Sequence, residues 1–138
     1  MNLIKIKLSG FLFAIFIIFF HSTSFGQSQI EMNSEAFSQY KKADRELNII
    51  YQKVLKEYSS QVIFIKKFKA AQHLWMQLRD VELEAKYPEH GTYGSVEPIC
   101  EARFLESLTQ ERIKFLKVWL NGIEEGEYCN GSVKVKKN

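Results

Sequence analysis

The stretch SEAFSQYKKADRELNIIYQKVLKEY, residues 34–58, decides the fold. Phe37, Tyr40, Asp44, Leu47, Tyr51, Val54 and Tyr58 recur at alternating intervals of three and four residues. An α-helix turns once in about 3.6 residues, so this spacing predicts one helical face. Asn33 or Ser34 is placed to cap that helix, with Glu31 and Glu35 near the positive end of its dipole. Asp44 is the one acid in the seam.

Working outward, Ser59-Ser60-Gln61 reads as a short turn. A second helix is predicted over Val62–Lys86, with Phe64, Phe68, Ala71, Trp75, Leu78 and Ala85 as its apolar stripe and Gln72 and Arg79 on one flank. Pro88 ends it, because the residue before a proline avoids the α region. Glu89 to Gly94 is a loop. A third helix is predicted from Ser95, with Glu97 and Pro98 in its first turn and Asn121-Gly122 as its stop. Phe104, Leu108, Phe115 and Trp119 form its stripe, beside Leu105 and Leu116, and Arg112 interrupts it. Trp75 and Trp119 are therefore expected in the core. The fold class is all-α: three antiparallel amphipathic helices, a helical hairpin plus a third helix, with a C-terminal tail. Residues 27–122 form the helical domain. Residues 123–138 form the tail, with Lys134 to Asn138 expected to fray.

The N-terminus reads as a signal peptide, residues 1–26. Lys5 and Lys7 give a positive start, Leu8 to Phe20 are almost wholly apolar, and Ser24-Phe25-Gly26 offers a small-x-small site before Gln27. The rival is an uncleaved anchor, but the apolar run is shorter than the roughly 20 residues of a span. No Cys follows the apolar run, so it is not a lipoprotein signal. The predicted location is periplasmic or secreted, with the membrane met only through the uncleaved leader.

Removing that leader leaves 112 residues, one domain's worth, and lowers the formal charge from +3 to +1. A near-neutral chain is no nucleic-acid binder by charge. Two Pro and seven Gly are too few for a turn-rich all-β domain. Cys100 and Cys129, an even pair in an exported chain, are expected to form one disulfide. With a straight third helix the bridge requires the tail to run nearly fully extended back along it, which is the expected arrangement; otherwise that helix must end early or bend near Ser107 to Thr109. No CxxC or HExxH spacing exists, so neither a metal site nor a cofactor is expected.

A short turn makes the first two helices neighbours and sets their register. Reflection about residue 60 brings Asn48 level with Gln72, and Asp44 within reach of Arg79. A carboxylate in an apolar seam is costly unless paired. The expectation is a buried polar network of Asp44, Asn48, Gln72 and Arg79 around Trp75, joined by Arg112. Its favoured role is to register the helices rather than to catalyse.

Several of these residues also carry a resemblance. Met32-Asn33, Ala36, Tyr40, Ala43-Asp44-x-Glu46-Leu47-Asn48-x-x-Tyr51 and Ala70-Ala71-Gln72-x-x-Trp75-x-x-x-Arg79-Asp80 resemble the LprI-like lysozyme-inhibitor family. Gly94-Ser95 and Thr109-x-x-Arg112 extend the likeness across residues 30 to 120. Most members of that family are uncharacterised. Many relatives carry a Cys shortly after the Arg-Asp pair, where Val81-Glu82-Leu83-Glu84 stands here.

The resemblance implies a small exported helical protein that binds a lysozyme at its cleft. From Asp80 to Glu106 there are seven acids against Lys86 and Arg103, a surface that attracts a basic enzyme. Tyr87, Glu89, His90 and Tyr93 form the candidate partner-binding loop at that end. The plainer reading is a solvated helix end with an ordinary connection. The alternative function is a cell-envelope binding or scaffolding module with a non-lysozyme partner, working through a helix face. An enzyme is not expected: Glu82 and Glu84, or Glu124 and Glu125, are paired acids by sequence, but on stretches too charged to desolvate either.

Overall fold

A computed structural model describes the backbone of residues 3–136 and the side chains of residues 28–136. The side chains of the leader, residues 1–26, and its proposed cleavage site thus lie outside the described residues. Three helices are present: α1 (Leu3–Glu57), α2 (Val62–Lys86) and α3 (Glu97–Asn121). No strand occurs among the described residues, only an isolated bridge between Ile123 and Val135. The chain is all-α.

α1 does not begin at the cap expected at Asn33 or Ser34. The helix runs through that point, and the Asn33 side chain accepts a hydrogen bond from Gln29 one turn back, at 3.2 Å, instead of capping. An N-cap residue type fixes a helix start only where the preceding backbone leaves the helix.

The core lies where the three helices meet. Leu47, Ile50, Val54 and Tyr58 of α1, Phe68 of α2, and Ile113 and Leu116 of α3 are buried together. A smaller cluster, Ala36 with Ile99 and Ala102, continues the α1–α3 contact toward the other end. Its small side chains let the backbones come close. Contacts between α1 and α2 run in opposite chain directions: Asp44 meets Arg79, Tyr51 stacks on Phe68, and Tyr58 packs on Phe64. Trp75 and Trp119 are partly buried and pack against the core.

The buried faces are turned slightly from the apolar stripes. On α2 the residues facing inward are Phe68, Gln72 and Arg79, whereas Leu78, Ala71 and Ala85 are exposed. On α3 the inward face is Ile99, Ala102, Thr109, Ile113 and Leu116, and Phe115 is exposed. Phe37 is exposed as well. The physical reason is that Gln72 is bonded by Arg112 and Arg79 is paired with Asp44 and Asp80 at the rim, so α2 turns both inward at little cost.

Tyr58 joins α1 to the tail. Its hydroxyl donates to the carbonyl of Trp119 at 2.9 Å and accepts the backbone N–H of Lys134 at 3.1 Å. Ile123 N–H donates to Lys134 C=O, and Lys136 N–H to Ile123 C=O. Lys134 to Lys136 are therefore tied down rather than frayed. Gly122, at φ 76°, makes the turn out of α3, and a Cβ there would stand 2.8 Å from the Lys134 carbonyl oxygen.

This tail corrects the expected disulfide. Cys100 and Cys129 are separate exposed thiols. Cys100 sits in the first turn of α3, about 30 Å along the helix from Asn121. The tail folds across the far end of α1 and α3, where Trp119 Nε1 donates to Ser132 Oγ at 3.3 Å. It does not run back along α3, so Cys129 stays at the opposite end of the helix.

Candidate functional site

The loop between α2 and α3 is built on a buried carboxylate. Glu97, at the first turn of α3, is 5% exposed. Its carboxylate accepts the backbone N–H of Gly91 at 2.7 Å and that of Tyr93 at 3.0 Å. The Gly91 N–H holds its pKa below the ordinary value of 4.5; burial opposes this, and the Tyr93 N–H and His90 add to it. Gly91 and Gly94 have φ of 83° and 84°, a region that side chains rarely enter, which lets the chain wrap the carboxylate. No side chain caps α3; Ser95, the expected cap, is exposed, and Val96 occupies the cap position.

His90 stands above this anchor. Its Nδ1 lies 2.9 Å from Glu101 Oε1 and 3.7 Å from Glu97 Oε1. The three groups bring their ligand atoms within 4.8 Å of one another, a donor set that a divalent cation could use. In the structure their hydrogen bonds account for the arrangement. Thr92 tightens the turn further by donating from both its hydroxyl and its N–H to the Glu89 carbonyl, at 2.6 and 3.1 Å.

Of the four loop residues singled out from the sequence, Tyr87 has a different place. It is 9% exposed and packs edge-to-face on Tyr93, with centroids 5.5 Å apart. It is the floor of the loop. Glu89, His90 and Tyr93 remain exposed and together form its outer surface. Glu97 and Glu101 were missed as site residues. Their i, i+4 spacing behind a loop with His90 and two glycines was the available signal, since a carboxylate's two acceptor oxygens can gather several N–H groups at once.

The polar network around Trp75 divides in two. Arg79 pairs with Asp44 at 3.2 Å and with Asp80 at 3.0 Å. Arg112 Nε donates to Gln72 Oε1 at 3.0 Å. The two guanidinium carbons lie 5.4 and 5.5 Å from the Trp75 ring, so the indole is flanked by cations. Burial pushes the pKa of Arg112 down. Asp44 is not buried: its side chain is 42% exposed, against 8% for Arg79. The seam leaves this acid at the rim, and only the cation goes inside. Asn48 is exposed and does not bond to Gln72; it lines a groove of about 200 Å³ with Asp44, Tyr51, Gln72, Met76 and Arg79. These contacts hold helices to each other.

Comparison with known proteins gives one finding. A family model described as "Lysozyme inhibitor LprI" matches residues 22–116. No curated protein and no solved structure matches.

Proposed function

Because the chain belongs to the LprI lysozyme-inhibitor family, we propose that it is exported and inhibits a lysozyme by binding over the enzyme's cleft. The binding surface is the outer side of the α2–α3 loop: Glu89, His90 and Tyr93. One observation carries this reading. The loop is fixed from beneath by a buried carboxylate that takes two of its backbone N–H groups. A loop held rigid before binding loses little entropy on docking. It also offers the residue types a sugar-binding cleft accommodates: a ring for stacking, an imidazole and a carboxylate.

Glu84 and Glu89 are exposed at this end of the molecule, as is Asp80 one turn back along α2. Their charge favours approach of a basic enzyme and mainly speeds association. The work is binding, not catalysis: the Gly91 N–H holds the pKa of Glu97 down, the wrong direction for a general acid. The domain of residues 27–122 would act after removal of the leader.

The test is residual muramidase activity of several lysozymes incubated with the exported protein, beside direct binding. Stoichiometric inhibition of at least one is expected. Tight binding to another envelope protein, with every lysozyme fully active, would assign the helix-face alternative instead.

A further inference from the structure

α2 has a second apolar face, on the side away from the core. Ile63 is 80% exposed, Leu74 64%, Leu78 53% and Val81 57%, and Ala70 and Ala85 are exposed beside them. At 100° per residue these six fall within a narrow stripe, roughly opposite the buried Gln72 and Arg79. A soluble helix normally keeps such a stripe covered.

The order of residues along the stripe is symmetric about Leu74. Counting outward from it, Ala70 answers Leu78, Lys67 answers Val81, and Ile63 answers Ala85. Two copies of α2 laid antiparallel, with a two-fold axis through Leu74, therefore bring apolar residues onto apolar residues along the seam. Lys67 is the exception, and its long stem can lie along Val81 with the ammonium in water.

The charges follow the same symmetry. The first half of α2 carries Lys66, Lys67 and Lys69, and the second half carries Asp80, Glu82 and Glu84 beside Lys86 at its last turn and the buried Arg79. Lys66 and Glu84 lie about five turns apart and so share one flank of the stripe. In the two-fold arrangement Lys66 of one copy comes level, to within about a turn, with Glu84 of the other, twice per dimer. Both are exposed and neither has a salt-bridge partner among the described residues. A parallel arrangement would set like charge against like.

From this match of shape and charge we infer that the outer face of α2 is the interface of an antiparallel, two-fold dimer of this chain. The occupant is a second copy, because the face complements itself. The proposal does not depend on lysozyme binding, since the α2–α3 loop lies at the end of α2, outside the central stripe.

Sedimentation of the exported full chain over a range of concentrations tests it. A dimer is expected, with Leu74→Glu monomeric, Lys66→Glu weakened by about tenfold, and Lys66→Glu with Glu84→Lys restored. Register is tested in a background with Cys100→Ser and Cys129→Ser. Leu74→Cys should cross-link with itself. Ile63→Cys should cross-link with Ala85→Cys but not with itself. Unchanged helicity of each variant separates a lost interface from a lost fold. A wild-type chain that stays monomeric throughout overturns the inference. So does a dimer that survives Leu74→Glu, or cross-links of Ile63→Cys to itself, which would signal a parallel pair.

Discussion

The carboxylate of Glu97 accepts the backbone N–H of Gly91 at 2.7 Å, from beneath the loop that Gly91 belongs to. A helix-borne acid thus sets the shape of a connection that is otherwise exposed from Pro88 to Val96. A loop shaped from below can be altered without touching its outer surface, and the helices can stay whole while it is.

Glu97→Gln should loosen this loop and leave the bundle folded. The amide offers one acceptor oxygen where two N–H groups need partners. Faster hydrogen exchange at Gly91 and Tyr93, with unchanged far-ultraviolet circular dichroism, is the expected result. Protection equal to wild type would show that Glu97 is not the anchor.

The same group sets a pH dependence. Its folded pKa is depressed, so its contribution to stability is present above the ordinary value of 4.5 and is lost as pH falls through the folded value. Acid melts of wild type and Glu97→Gln should converge as the pH drops below that range. A constant gap between them would contradict this assignment.

Asp44→Ala should cost little, about 1 kcal/mol, because Asp44 is half in water and Asp80 still faces Arg79. Trp75→Ala should cost more, about 2–3 kcal/mol, since it removes partly buried ring area and leaves Arg79 and Arg112 without their shared aromatic face. Denaturant melts of the two variants give the ranking directly. The reverse order would mean that the ion pair, not the indole, carries this region.

Tyr58→Phe should release the tail. It deletes a hydroxyl that donates to Trp119 C=O and accepts from Lys134 N–H, at about 1–2 kcal/mol. Amides of Ile123 and Lys136 should then exchange faster. Unaltered protection there would place the hold on the tail elsewhere.

Both cysteines should react with an alkylating reagent without prior reduction, because Cys100 and Cys129 are exposed thiols at opposite ends of α3. Mass spectrometry of the purified protein reads this as two added groups. A single intramolecular bridge would require the tail to leave its place at Tyr58.

How much of this the sequence carried differs by element. The bounds of α2 were legible because a turn and a proline mark them, and Gly122 marked the end of α3. The seam of α1 was legible too, as Tyr40, Leu47, Val54 and Tyr58 are buried. Periodicity misjudged which way α2 and α3 face, because hydrophobicity cannot register that Gln72 and Arg79 find polar partners once turned inward. The Asp44–Arg79 contact followed from counting across a short turn, but the depth of Asp44 depended on packing that counting does not give. Glu97 was harder to read because its partners are backbone N–H groups, so its spacing to Glu101 behind His90 and two glycines was the only trace in the residue types.

The central claim is that the outer surface of the α2–α3 loop does the inhibiting. The most direct measurement compares wild type with a variant in which Glu89, His90 and Tyr93 are all Ala, assayed against an inhibited lysozyme with circular dichroism as a check on folding. The account predicts inhibition weakened by at least tenfold at unchanged helicity, about 1.4 kcal/mol or more of binding. Full inhibition by the folded triple variant would contradict it and move the site to a helix face.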